Sequence, residues 1–246
     1  MSEPVEQGQD TPGAAGRSVV VAVDGTSGSG KSSTCRAVAD RLGLRYLDTG
    51  AQFRAVTWWM LRHDVDVHDA AAVAAHAGSP VLASGTDPLA PSITVDGTDV
   101  SVEIRSDEVN AAVSPVSAVP EVRARLLALQ REIITESTGG GRAGIVVEGR
   151  DIGSVVWPDA ELKIYLTADP AARAARRAAE NGGSAAAGDA ARVAATQESL
   201  LARDRIDSAR AVAPLTMADG AVHIDSTDLT LDEVVELVVG LVTERV

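Results

Sequence analysis

The sequence predicts an α/β fold, a central parallel sheet of five strands with helices layered on both faces. Three observations carry that reading. Short β-branched runs such as Val19-Val20-Val21-Ala22-Val23 alternate along the chain with stretches of helical period. The first run leads straight into Gly25-Thr26-Ser27-Gly28-Ser29-Gly30-Lys31-Ser32, which fits the phosphate-loop pattern G-x-x-x-x-G-K-[ST]. Other polar motifs follow later apolar runs directly. They therefore fall at the C-terminal ends of strands, where open α/β sheets place their ligands.

The elements follow in order. Residues 1–17, rich in Gly, Pro, Gln and Glu, are expected to be disordered. Residues 18–23 form a buried strand, and 32–42 a helix with Val38 and Leu42 on one face. Residues 44–47 make a second strand ending at Asp48-Thr49-Gly50, followed by a helix over 51–61. The rhythm breaks over 78–104, where Pro80, Pro88 and Pro91 precede residues that alternate about Asp96-Gly97. Alternation around an Asp-Gly turn predicts a hairpin, hence a small antiparallel insertion. Pro120 opens a helix with Val122, Leu126, Leu129 and Ile133 at helical spacing. Residues 145–147 and 162–166 are the third and fourth strands, the third running into Glu148-Gly149-Arg150-Asp151. Asp169-Pro170 pairs a capping carboxylate with a first-turn proline and opens a helix bearing Arg173, Arg176 and Arg177. Residues 181–188 are small and predict a mobile tip. Then come a helix over 197–206, a last strand over 221–225 and a closing amphipathic helix over 229–243.

Composition narrows the function. Of 246 residues 45% are hydrophobic and only 2% aromatic, so the core is built of Ala, Val, Leu and Ile. A formal net charge of −13 argues against non-specific nucleic-acid binding, and no nucleic-acid partner is expected. No apolar run approaches the roughly 18 residues of a membrane span. The acidic N-terminus is unlike a signal peptide. A cytoplasmic protein with no membrane partner is the expectation. No exposed apolar stripe stands out, so a monomer is expected. The single cysteine, Cys35, rules out an internal disulfide and reads as a core thiol.

The phosphate loop has a physical logic. Its glycines let the backbone approach a polyphosphate, and successive N–H groups at a helix N-terminus favour negative charge. Lys31 reaches terminal phosphates, and the Ser32 hydroxyl suits Mg²⁺. In so acidic a chain, arginines at strand ends call for a reason. Arg54, Arg150, Arg203 and Arg210 all fall beside the loop, and the guanidinium fork matches phosphate oxygens. Moving a phosphoryl group between two phosphate-bearing molecules needs donors for the acceptor's phosphate and separate donors for the moving group. The trio Arg173, Arg176 and Arg177 reads as the second set, on a segment that closes and excludes water.

Four segments in this order resemble those of the bacterial-type cytidylate kinases: residues 23–31, 47–51, Glu148-Gly149-Arg150-Asp151-Ile152-Gly153, and 210–215. The resemblance runs from about Val19 to the C-terminus. It implies a P-loop three-layer sandwich over 18–246, with an acceptor-nucleotide insertion at 78–104 and a mobile lid at about 173–192. The implied reaction moves the γ-phosphoryl group of ATP to CMP or dCMP with Mg²⁺, in pyrimidine nucleotide metabolism. The implied ATP site is Gly25, Thr26, Ser27, Gly28, Ser29, Gly30, Lys31, Ser32 and Ser33, with Ser32 on the metal. Arg54, Arg150 and Arg210 would meet the acceptor's phosphate, with Thr49 beside them. Arg203 and Asp207 would meet the sugar, and Ser114, Arg123 and Asp151 the cytosine. Cytosine offers an amino donor where uracil offers an acceptor, so a carboxylate at Asp151 discriminates between them. Lys31 and the three lid arginines would stabilise the transferred charge. The chain departs from relatives in Ser32-Ser33 after the lysine, in Glu148 where aspartate is common, and in Phe53 where tyrosine is usual. A different P-loop kinase, a regulatory GTPase and a non-catalytic scaffold are the rival readings. The Asn-Lys-x-Asp run that reads guanine in GTPases is missing from the sequence.

Overall fold

The computed structural model describes residues 18–141, 143–187, 190–210 and 212–245, without the side chains of 180–187. The chain opens with β1 (Val19–Gly25), α1 (Lys31–Leu42), β2 (Arg45–Asp48) and α2 (Thr49–Arg62). A short α3 (Ala70–His76) leads to β3 (Leu82–Ser84), β4 (Ile93–Val95) and β5 (Thr98–Asp99). Two helices follow, α4 (Asp107–Ala118) and α5 (Pro120–Thr138). Then come β6 (Gly144–Glu148), β7 (Leu162–Thr167), α6 (Pro170–Ala187), α7 (Ala190–Ser208), β8 (Val222–Asp225) and α8 (Leu231–Thr243).

The large sheet has the order β2-β6-β1-β7-β8, parallel throughout. Every residue of β1 is buried, as its continuous apolar run requires of a central parallel strand. Alternation divides that run between two layers. Val19, Val21 and Val23 face Cys35, Val38 and Ala39 of α1 and Val234, Val235 and Val238 of α8. Val20 and Ala22 face the opposite way, toward Ile134 of α5, with Ile145, Val147 and Ile152. A third aliphatic cluster joins α2, α4 and α5 to the small sheet, around Met60, Val95, Ile104, Val116 and Leu126. That sheet, ordered β3-β4-β5, is antiparallel, and Asp96 and Gly97 both take positive φ at its turn, at 52° and 80°. The Asp-Gly hairpin signal is met.

Several elements differ from the sequence expectation, among them α3, over a stretch to which the sequence reading assigned no element. Residues 181–187, predicted as a mobile tip, continue α6 as helix, and α6 packs along α7. Alanine is the best helix former, and tertiary packing offsets the cost of Gly182 and Gly183. Gly188 and residues 1–17 lie outside the described residues. The sequence reading assigned no element to α4, which holds Pro115 in its interior where a proline removes a helix hydrogen bond. Residues Ile152–Val156 form a single π-helical turn after β6, the kind of local irregularity that collects at functional sites.

Candidate active site

The loop from β1 to α1 ends at a helix start that no side chain caps. Gly25 has φ +146°, and a Cβ there would lie 1.9 Å from the Leu166 carbonyl oxygen, so only glycine fits. The N-terminus of α1 carries no side-chain cap, which leaves its first amides and its dipole open to an anion. Lys31 is buried and folds back over the loop, donating to the carbonyls of Gly25 at 2.9 Å and Thr26 at 2.6 Å. Burial, with Arg150 adding to it, pushes its ammonium down from the usual lysine range. The Thr26 hydroxyl is buried without a partner, and Ser33 is exposed on α1.

Ser32 points the other way. Its hydroxyl donates to Glu148 Oε1 at 2.7 Å, and the Tyr46 hydroxyl donates to the same oxygen at 2.8 Å. Glu148 Oε2 is buried with no partner. Burial and nearby Asp48 push this carboxyl up, against the pull of Lys31. A buried carboxylate oxygen beside a hydroxyl is a hard-oxygen donor set suited to Mg²⁺, which takes one or two protein ligands and fills the rest with phosphate and water. Among the described residues no cluster of three His, Cys, Asp or Glu side chains stands ready to hold a metal unaided.

Guanidinium groups crowd the same end of the sheet. Arg54, from the first turns of α2, bonds Asn110 of α4. Arg150, just past β6, donates to Ser27 Oγ at 2.7 Å and Asp207 Oδ2 at 3.1 Å. Arg210 reaches Asp207 and the Ser117 hydroxyl. Burial and then Arg203 bring Arg54 down to about 9, and burial and then Arg150 bring Arg203 down to about 10. Both stay charged at neutral pH, so the shifts reflect charge held in a buried place with like charges close by. The Nε atoms of Arg173, Arg203 and Arg210 are buried without partners. Such a cluster costs energy until an anion neutralises it. Thr49 donates to the Glu148 carbonyl at 2.7 Å and so fixes the end of β6 against α2.

A second polar group of side chains lies beside this cluster, joined to it at Ser117. Arg123 of α5 pairs with Asp151 through Nη2, donates through Nη1 to the Ser117 carbonyl at 3.1 Å, and lies 5.4 Å over the Phe53 ring. Ser114 is buried in the α4 wall. Burial raises the Asp151 carboxyl, against Arg123. The turn carrying Arg150 and Asp151 is held from behind, since Asp24 accepts the N–H groups of Ile152 and Gly153, both at 2.8 Å.

The predicted residues thus converge, Arg176 included, whose Nη1 lies 4.0 Å from where a Cβ of the loop residue Gly30 would stand. Arg173 is seated on Ser27 and Asp204. Arg177 contributes to the positive field at Arg54 and Arg203. Arg176, a predicted partner of the moving group, spends its donors on Ser226 Oγ and the Ser226 carbonyl, at 3.0 and 2.6 Å. Tyr46, Asn110, Ser117, Asp24 and Asp204 are participants the sequence reading did not single out. For Asp204 a signal existed: it stands three residues before Asp207, on the same helical face.

The chain matches the family model described as cytidylate kinase over residues 21–244. It is 58% identical over 227 residues to a cytidylate kinase from Streptomyces avermitilis, covering 92% of this chain and 94% of the relative. It is 49% identical over 238 residues to one from Nocardia farcinica, covering 97% of each. One from Mycobacterium leprae is 46% identical over 227 residues, 92% of this chain and 96% of that one. Identity of this depth over nearly the whole of both chains leaves the kinship in no doubt, and the chain belongs to the cytidylate kinase family.

Proposed function

We propose that the enzyme transfers the γ-phosphoryl group of ATP to CMP or dCMP, giving ADP and CDP or dCDP. The observation that carries the reading is the juxtaposition of an uncapped phosphate loop, an arginine cluster that Asp204 and Asp207 offset only in part, and a buried Arg123–Asp151 pair at one end of the sheet. The loop amides and Lys31 hold the donor's phosphates. Arg54, Arg150 and Arg210 take the acceptor's phosphate, with Thr49 at the edge of that site, and Arg203 and Asp207 take the sugar. Asp151 accepts from the cytosine amino group, with Ser114 and Arg123 completing the contact.

An oxygen of the acceptor's phosphate attacks the γ-phosphorus, and the bond to the β-bridging oxygen breaks. That oxygen is already anionic, so the chemistry asks for no protein nucleophile; it asks for position and charge stabilisation. Lys31, Arg173 and Arg177 supply the charge. Arg176, drawn away from its carbonyl partners, joins them. The packed α6–α7 pair excludes water, the competing acceptor. Ser32, with Glu148 beside it, would hold Mg²⁺, which supplies charge neutralisation on the phosphates when bound. We read the enzyme as a cytoplasmic monomer; among its exposed large apolar side chains Leu231 and Leu237 share α8, and others such as Val81 and Ile206 stand apart.

ADP release from ATP with Mg²⁺ across CMP, dCMP, UMP, AMP and GMP tests the reading. Strong turnover of CMP and dCMP is expected, with cytosine selectivity collapsing in Asp151→Ala. Preference for another base in the wild type would overturn the assignment.

A further inference from the structure

Asp204 stands one turn before Asp207 on α7, and the two carboxylates divide the site between them. Asp207 serves the acceptor side, where Arg150 and Arg210 end on it. Asp204 serves the donor side. Its Oδ1 accepts the Ser27 N–H at 3.0 Å and its Oδ2 accepts Arg173 Nη1 at 2.5 Å. The same Nη1 donates to the Ser27 carbonyl at 2.9 Å, while Ser27 Oγ accepts Arg150 Nη2 at 2.7 Å. Every polar atom of this phosphate-loop residue is therefore bonded to a side chain from outside the loop. The Arg173 and Asp204 side chains are 5% and 12% exposed, so salt screens their pair little. Gly28 brings the elements closer still. A Cβ there would lie 3.2 Å from the Arg173 carbonyl oxygen and 3.3 Å from Leu200 Cδ1, so α6 and α7 rest on the loop's backbone.

Helix capping does not explain this contact. Asp204 lies inside α7, and its partners are on the loop and on α6. We propose that Asp204 is a positioning residue that locks Ser27 and Arg173 to the helix carrying Arg203 and Asp207, so that the donor and acceptor sites assemble as one. The inference rests on the reading of those two sites given above. An acceptor that draws Arg203 and Asp207 into place shifts Asp204, and with it the loop backbone that ATP meets. By reciprocity ATP tightens CMP to the same degree.

Titration of CMP into the full-length enzyme, with and without a non-hydrolysable ATP analogue and Mg²⁺, tests this in wild type, Asp204→Asn and Asp204→Ala, alongside kcat, KM and Tm. Wild type is expected to bind CMP about fivefold or more tightly with the analogue present. In Asp204→Ala that factor falls to about one and kcat per folded molecule drops, while CMP affinity without the analogue is unchanged. Asp204→Asn, which keeps an oxygen for the Ser27 N–H, retains part of the coupling. Should Asp204→Ala fail to fold, Asp204→Asn is judged alone, by a coupling factor below that of wild type. Wild-type coupling in the variants, or a fall in activity that merely tracks a lower Tm, would overturn the proposal. A wild-type enzyme that does not phosphorylate CMP would overturn both the site reading and the inference, whereas changes confined to the variants bear on Asp204 alone.

Discussion

At the scale of single residues the site is a collection of charges held against their preference. Asp24 shows the cost most clearly. It is buried, and burial raises its carboxyl to about 6 from 3.8 despite two backbone N–H donors that pull it down. The fold therefore binds this proton more tightly than the unfolded chain does. The favourable contribution is fully present below pH 4 and is lost as pH rises through 6. Against Asp24→Asn, which has no such titration, the wild type should lose on the order of 3 kcal/mol of relative stability between pH 4 and pH 7. Urea unfolding of both proteins across that range measures it, and a flat difference would show that Asp24 is not burdened by burial. The carboxylate offers a separate oxygen to each N–H group of the turn that aims Arg150 and Asp151, where an amide would offer one oxygen for both.

At the scale of elements, legibility followed range. The strand–loop–helix unit of β1 and α1 was readable because its signals are local: an unbroken β-branched run, a glycine pattern, a helix period. The hairpin at Asp96-Gly97 was readable for the same reason. α4 was not, because its proline stands inside the helix and tertiary packing of Val109, Val113 and Val116 overrides the local signal. Asp204 was legible only as a neighbour of Asp207 on one helical face; its contact with the loop was not, because that partner lies 177 residues away and no spacing rule connects them. The predicted tip of residues 181–188 was legible in composition only: small residues gave no helix signal, yet 181–187 continue α6, which packs on α7. α8 offers a quantitative check on local reasoning. Thr230 and Glu233 form a reciprocal capping box at its start. Thr230→Ala should cost about 1 kcal/mol in denaturant unfolding. A change near zero would mean that the Val234, Val235 and Val238 face alone holds the helix.

At the scale of the whole molecule, an acidic surface surrounds one basic crevice. A net charge of −13 coexists with guanidinium groups close enough to depress one another. Stability and function are opposed there. Arg203→Met should leave the Tm of the ligand-free enzyme unchanged or raise it, since repulsion is relieved. It should also abolish most of the Tm increase that saturating CMP gives the wild type. That increase is worth about 2.7 kcal/mol when ligand stands at a hundred times its Kd. A variant that melts lower and still gains fully from CMP would place Arg203 in structural support and outside the acceptor site. Three helices of the third cluster, α2, α4 and α5, each lend one residue to the proposed acceptor site. Arg54, Ser117 and Arg123 come from different elements, so the site is complete only in the folded whole.

The central claim is transfer to the phosphate of a cytidine nucleotide with water excluded. Phosphorus NMR of one mixture of enzyme, ATP, Mg²⁺ and CMP tests it most directly, because every phosphate is followed at once. The account predicts that the α and β signals of CDP rise in step with those of ADP, with no free phosphate until CMP is exhausted. Free phosphate appearing in step with ADP, and CMP left unchanged, would contradict it.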